Sequence, residues 1–419
     1  MLCSTLSPKH SPNQEFPTMR RSVFVQLALV TGVTVVAGCG SSGSVQPLPS
    51  ALTAIAVGAV HTCGLVQDGS AFCWGNNQFG EIGDGSHSDR YFPVAVAGTV
   101  KFTEITAGGG HTCGISTNGA AYCWGSNGNG QLGDGTLTDR ATPAPVAGGL
   151  TFLALSAGGV HTCGIASDNT AYCWGYNGNG QLGDSTFNNR SLPTPVVGGQ
   201  QFVAISAGKA SHSCAVTASG QAFCWGANDY GELGTGDQTK RPAPVAVEGG
   251  LVFQTIHAGY AHTCGLTVDG TAYCWGRNFY GQLGTGDQVV GQDQSMPTAV
   301  TGGLKWALLR VGAYFTCGLE QGTSAAYCWG YNSSGQLGVD VSGVCTDQNG
   351  IASQCAGSPS AVSGGLAFTA LDASTQHTCA LTQGGVAYCW GADSYGQLGD
   401  GQHGATIFLN APVKVLGQP

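Results

Sequence analysis

Residues 61–85 read HTCGLVQDGSAFCWGNNQFGEIGDG, and close copies of that phrase follow six more times. The first cysteines of the later copies are Cys113, Cys163, Cys214, Cys264, Cys317 and Cys379, a period of about fifty residues lengthened by insertions in the sixth interval. Self-similarity at that period marks a propeller, solenoid or array, whose units bury their apolar faces only against one another. It also governs how function is read. A residue present in every copy is architecture, and specificity belongs where the copies differ.

Within each copy two cysteines flank a turn. Gly69, Gly119, Gly220, Gly270 and Gly385 stand sixth after the first cysteine, and Asn169 takes that place in the third copy. Glycine and asparagine are the residues that best tolerate a left-handed backbone, so the pattern predicts a three-residue hairpin loop closed by a glycine bulge. With Gln67-Asp68-Gly69 as the loop, Val66 pairs with Ser70 and Cys63 falls opposite Cys73, at a non-hydrogen-bonded position where facing side chains are closest. Seven such pairs are expected: Cys63/Cys73, Cys113/Cys123, Cys163/Cys173, Cys214/Cys224, Cys264/Cys274, Cys317/Cys328 and Cys379/Cys389. The sixth has one extra residue and needs a different turn. Cys345/Cys355 make an eighth pair, leaving Cys3 and Cys39 of the 18 cysteines. An even, regularly spaced set in an exported chain reads as a disulfide framework. Zinc would ask for C-x₂₋₄-C spacing, so no metal or cofactor is expected.

Two further extended segments flank each hairpin. One is typified by Phe102-Thr103-Glu104-Ile105-Thr106-Ala107-Gly108, the other by Pro143-Ala144-Pro145-Val146, whose prolines suit a sheet edge. Four short strands per repeat are the content of one propeller blade.

Composition agrees with an exported scaffold. Charged residues are 9%, against roughly 25% in ordinary soluble domains, and the 70 glycines are far above average. The net charge of −9 comes with no Lys/Arg run, which argues against nucleic acid as a partner. At the N-terminus, Arg20-Arg21 precede an apolar run from Val23 to Val36 and then Ala37-Gly38-Cys39. A basic segment, a short apolar run and small residues at the cut form a secretory signal, and the run is too short to span a membrane comfortably. Val36-Ala37-Gly38-Cys39 resembles a bacterial lipobox, implying lipidation of Cys39; an ordinary cleaved signal is the alternative. Residues 1–18 then read as a mis-assigned start, 19–38 as the signal, 39–51 as a flexible tether, and 52–419 as the propeller with an insertion at 339–358. The expected location is the bacterial cell envelope, at the outer membrane or cell surface, with the lipid as the sole membrane contact and the chain monomeric.

The phrase HTCGL, then AYCWG, then GQLGDG resembles the repeat of the regulator of chromosome condensation family over residues from about 52 to 416. The resemblance implies a seven-bladed, all-β propeller. Its closure is expected from the C-terminal strand Pro412-Val413-Lys414-Val415 joining the first blade. The family's founding member is a nuclear guanine-nucleotide exchange factor, a role that export and disulfides exclude here. Exported bacterial members, one type of which inhibits β-lactamase through a propeller face, are the nearer guide.

Six copies carry His-Thr or His-Ser: His61, His111, His161, His212, His262 and His377, with Phe315 in the sixth repeat. A catalytic histidine is usually single, so this ladder reads as blade packing. Gly-Asp-Gly around Asp134 and the related Asp184 and Asp400 lacks the alternating acidic ligands of a calcium loop. No G-x-S-x-G, H-E-x-x-H or phosphate-binding loop occurs, and no enzyme is expected; one would need a non-repeated polar cluster in the central channel. The divergent positions cluster on the end of the ring opposite the Asp-Gly turns. They are Phe79, Tyr176, Tyr230, Phe279, Tyr280, Tyr331 and Tyr395 after Trp-Gly, and Lys209, Tyr260, Tyr314 and Phe315 near the His-Thr site. Rings on loops of a rigid scaffold make a binding surface for a protein or, alternatively, a glycan, unless they pack on neighbouring blades. Insertions at Asp287 to Ser295 and Val339 to Ser358 rim that face. The second, with its own disulfide, reads as a pre-shaped binding element or as a drifted loop protected from proteases.

Overall fold

The computed structural model describes residues 47–286, 292–346 and 350–419. The expected signal and lipidation site at Cys39, Cys3, residues 287–291 of the first insertion and residues 347–349 of the second lie outside them. Six of the seven repeats form an antiparallel four-stranded sheet in sequence order, as in Leu52–Val57, His61–Val66, Ala71–Gly75 and Arg90–Ala95, and the sixth carries an added strand. Seven sheets follow one another and are the seven blades of a propeller, spanning 52–95, 102–145, 152–195, 202–246, 253–299, 306–361 and 370–414.

The hairpins form as the spacing predicts. The Val66 N–H donates to Ser70 O at 3.0 Å and the Gly69 N–H to Val66 O at 2.9 Å, and Cys63 faces Cys73. Gly69 has φ 80° and Asn169 φ 64°; a Cβ at Gly69 would also lie 2.8 Å from Phe102 O. All eight expected disulfides are present. The blade bridges are Cys63–Cys73, Cys113–Cys123, Cys163–Cys173, Cys214–Cys224, Cys264–Cys274, Cys317–Cys328 and Cys379–Cys389. Each holds its Cα atoms 4.1 Å apart, as suits a non-hydrogen-bonded pair. Cys345–Cys355 is the eighth. In blade 6 the extra residue between Cys317 and Cys328 gives a longer loop in which Ser324 takes the left-handed conformation at φ 60°.

The core is divided among the blade interfaces, one apolar cluster for each adjacent pair. Between blades 1 and 2 the Cys63–Cys73 bridge, Leu65 and Ile82 pack on Phe102, Ile105 and Trp124. The repeated Gly-Gln-Leu-Gly now has a physical meaning. Its second residue, Glu81 in blade 1, offers one carbonyl to both the Thr112 hydroxyl and the Trp124 indole N–H, each at 2.9 Å. Its apolar residue is buried, and its last glycine leaves room for the indole: a Cβ on Gly83 would meet Trp124 Nε1 at 2.6 Å.

Closure differs from the expected strand exchange. The C-terminal strand Phe408–Lys414 pairs with Ala387–Ala392 of its own blade 7, with Cys389 opposite Val413, and blade 1 is complete without it. Every motif is followed by its own fourth strand, so seven motifs already make seven whole blades. The ring is shut by the ordinary blade-to-blade lock: Gln397 O accepts the Thr62 hydroxyl at 2.9 Å and the Trp74 indole at 3.0 Å. Leu48, inside the expected tether, is buried in that seam and its N–H donates to Gly417 O at 2.6 Å; packed structure thus begins before residue 52. The 339–358 insertion extends blade 6, where Ala352–Ala361 forms a long fourth strand and Val344–Thr346 adds a fifth.

Candidate functional site

The repeated polar residues are absorbed by architecture. His61 Nε2 lies 2.9 Å from Thr112 Oγ1; that hydroxyl already donates to Glu81 O, so the imidazole must donate and carries its proton on Nε2. The same link joins His111 to Thr162, His161 to Ser213, His212 to Thr263, His262 to Thr316 and, across the seam, His377 to Thr62. Burial drops these imidazoles to about 3, and His212 to about 4. Phe315 takes the histidine's place in blade 6 and is fully buried. It is core, and the expectation that it offers binding surface is corrected: a position that holds histidine in six blades cannot face solvent in the seventh.

The blade cysteines are core as well. Cys163 and Cys173 pack against Trp225, Cys214 and Cys224 against Trp275, and Cys264 and Cys274 against Trp329. Cys317 and Cys328 meet Trp390, and Cys379 and Cys389 meet Trp74. All are fully buried, so their part is to staple the hairpins and fill the interfaces, and none lies on a surface that a ligand could touch. The Asp-Gly acids also have structural partners, since Asp84, Asp134 and Asp184 pair with Arg90, Arg140 and Arg190 at 2.5–2.8 Å. Asn77 Oδ1 caps the Ile82 N–H at 3.0 Å inside the third-to-fourth connection. Among the described residues, no group of three or more His, Cys, Asp or Glu side chains is placed to hold a metal ion.

The divergent aromatics divide into two sets. Tyr230, Tyr260, Phe279, Tyr280, Tyr314 and Tyr331 come together over blades 4, 5 and 6. Ring centroids are 6.4 Å apart for Tyr230–Phe279, 5.2 Å for Tyr260–Tyr314, 5.7 Å for Tyr280–Tyr314 and 4.8 Å for Tyr280–Tyr331. The Arg277 guanidinium joins them, 4.3 Å from the Phe279 ring centre, 4.8 Å from Tyr230 and 5.6 Å from Tyr314, a cation–π arrangement that fixes the rings. Burial, with Tyr260 beside it, pushes the Tyr314 phenol up to about 12, against the opposing pull of Arg277. Phe279 is buried beneath this patch and supports it instead of lining its surface; Tyr260 is 45% exposed. The other rings stand apart. Phe79 and Tyr395 are exposed on blades 1 and 7, and Tyr176 lies against its own loop at Gly178. Blades 2 and 3 have Gly109-Gly110 and Gly159 where the patch has Tyr260 and Tyr314. The disulfide hairpin borders the patch, for Tyr331 pairs directly with Cys355.

Lys209 leaves the aromatic set for the channel. Its N–H bonds Gly259 O, just before Tyr260, and its side chain lines a cavity of about 310 Å³ at the ring's centre. There the inner strands present one equivalent position each, opposite the first cysteine of the blade: Ala56, Thr106, Ser156, Ser206, His257, Arg310 and Asp372. The hydroxyls and the carboxylate cap backbone of the next blade. Thr106 accepts the Ala157 N–H at 3.1 Å, Ser156 that of Ala207 at 2.9 Å, Ser206 that of Ala258 at 3.0 Å and Asp372 that of Val57 at 2.7 Å. Arg310 lies 3.7 Å from Asp372 and 3.4 Å from His257 Nε2. Lost hydration lowers the pKa of Lys209, Asp372 opposing and Arg310 adding to the shift; the same loss holds His257 well below its usual value. The channel thus contains a non-repeated polar cluster, the feature an enzyme reading would need. Arg277, His257, Arg310 and Asp372 carry no aromatic signal in the sequence, but each stands in a column of the repeat where the copies disagree.

A profile of the Regulator of chromosome condensation (RCC1) repeat matches residues 68–115, 118–165, 168–216, 219–266 and 269–319, more than half of the chain. A second profile of that repeat adds, among others, residues 52–81 and 368–397. The Ultraviolet-B receptor UVR8 of Arabidopsis thaliana is 28% identical over 197 residues, 46% of this chain and 42% of the receptor, so the chain matches less than half the length of that relative. Prp20p of Saccharomyces cerevisiae superposes with a TM-score of 0.72 at 21% identity, over 88% of this chain and 87% of its own. Human WBSCR16 does so with 0.69 at 18%, over 81% and 89%. At these identities the likeness is one of fold.

Proposed function

The chain belongs to the regulator of chromosome condensation (RCC1) repeat family, and on that premise we propose that it is an exported, lipid-anchored binding module, not an enzyme, that grips a protein partner through the loop face of blades 4–6. The carrying observation is the continuous patch of Tyr230, Tyr260, Tyr280, Tyr314 and Tyr331 around Arg277, on a sector where the copies diverge. Tyrosine and arginine are the residues on which binding energy concentrates, since they offer large area at low entropic cost. Eight disulfides support an oxidising compartment, and Cys39 is the proposed lipid attachment point in the cell envelope. Prp20p, of like fold, is described by its binding to Gsp1p and histones, which fits a protein as the partner class.

The test is capture from the organism's own envelope and secreted fractions on the immobilised full chain, beside the Tyr260→Ala, Tyr280→Ala double variant. A protein retained by the parent and depleted at least about tenfold by the variant, a loss of roughly 1.4 kcal/mol or more, supports the reading. Equal retention by both, or capture abolished by free sugars, overturns it; the latter points to a glycan.

A further inference from the structure

Apart from the aromatic patch, the channel mouth holds two cationic groups whose hydrogen bonds are not spent. Lys209 Nζ has no hydrogen bond or ion pair among the described residues. Arg310 uses Nη1 on Leu309 O at 2.8 Å and on His257 Nε2 at 3.4 Å, which leaves its Nη2 edge unengaged. The obvious internal anion does not satisfy them. Asp372 commits Oδ2 to the Val57 N–H, and its Oδ1 is 3.7 Å from Arg310 Nε, beyond a hydrogen bond. The other carboxylate in the cavity, Glu104, stands two residues deeper along its strand than the ring of equivalent positions and accepts the Leu155 N–H at 2.9 Å. The remaining wall is aliphatic, alanines with isoleucines, Leu155 and Val311, apart from His257 and the Thr106, Ser156 and Ser206 hydroxyls, which are already spent on backbone.

We propose that this mouth is a binding site for a carboxylate, held by Lys209 and the free edge of Arg310. A planar guanidinium beside an ammonium matches a carboxylate's two oxygens, and a cavity of about 310 Å³ admits a small acid or a single acidic side chain. His257, whose Nε2 faces the Arg310 donor, keeps its proton on Nδ1 and adds no positive charge. The site is independent of the aromatic patch: either can exist without the other.

Isothermal titration calorimetry on the full chain tests it, with acetate, succinate and a blocked Gly-Glu-Gly peptide as probes and succinamide as the uncharged control. The variants are Lys209→Ala, which gives blade 4 the residue blade 1 has at Ala59, and Arg310→Ser, which copies Ser206 of blade 4. Both import a residue the repeat already tolerates, and their urea midpoints check the fold. Saturable one-to-one binding of a carboxylate probe is expected, absent for succinamide and weakened at least about tenfold by each variant. Binding of the free acids places the source in a small molecule; binding of the peptide alone places it in a partner's acidic side chain. No saturable heat from any of the three at millimolar concentration, or unchanged affinity in Lys209→Ala, overturns the proposal.

Discussion

Glu232 stands where five other blades have glutamine: Gln131, Gln181, Gln282, Gln336 and Gln397. Its carboxylate caps the Tyr230 N–H at 2.8 Å, as Gln131 caps that of Asn129. Burial raises it from 4.5 to about 7, and Glu81 likewise. A carboxyl with a raised folded pKa is favourable below the unfolded value and loses stability as pH rises through the folded one. Glu232→Gln should therefore raise unfolding stability at pH 8 by roughly 1–3 kcal/mol and add little at pH 4; paired urea titrations would show it. An equal gain at both pH values would mean that shape, not charge, is responsible. The same column logic explains what was hard to read. Arg277 follows Trp-Gly at a place where other copies hold Asn, Ser, Tyr or Ala, so its scatter marked it as variable without saying that three rings would converge on it.

Among the elements, the cysteine hairpin was the most legible, because loop length, the left-handed residue and the pair register constrain one another. The two kinds of bridge should behave differently. Cys113–Cys123 lies inside a blade interface against Phe152 and Trp174, so replacing both by alanine should cost about 2–4 kcal/mol, from loop entropy and lost packing. Cys345–Cys355 fastens the added fifth strand at a sheet edge. Its double alanine variant should move the global urea midpoint by less than about 1 kcal/mol while hydrogen exchange at Ala352–Ala361 accelerates. A global loss as large as that of the blade bridge would show that the insertion is part of the core. The fate of the C-terminal strand was harder to foresee: its sequence pattern is that of a fourth strand in every blade, and pattern alone does not say which neighbour it pairs with.

For the whole molecule, the period left propeller, solenoid and array open, and four short strands per repeat together with the family resemblance narrowed it to seven propeller blades. Closure did not, because it rests on a side-chain lock between Gln397 and the Thr62–Trp74 pair that is 323 residues away in sequence at the indole. The histidine ladder makes that ring acid-labile. Six imidazoles with folded values near 3–4 and a model-peptide value of 6.5 stay neutral in the fold while the unfolded chain takes up protons. Their Nδ1 atoms have no partner to receive a charge. The ladder's contribution to stability is therefore complete above pH 6.5 and falls on acidification, by up to about 1.4 kcal/mol per histidine per pH unit. Glu81 and Glu232 oppose this between 4.5 and about 7, and Asp393, which burial raises from 3.8 to about 7, opposes it down to 3.8, so the loss should steepen once these windows are passed. A urea midpoint that stays flat from pH 7 to 4 would contradict the buried, neutral ladder.

In the function proposed above, repeated residues build the ring while the divergent patch on blades 4–6 recognises a protein. Photo-cross-linking in the native host tests it, with a benzophenone side chain placed in turn at Tyr280 in the patch, at Tyr395 on the same face outside it, and at Val268 in the Asp-Gly turn that follows the second strand of blade 5. A discrete protein adduct is expected from position 280 and none from 268 or 395. Adducts of equal yield from all three, or from 268 alone, would contradict it.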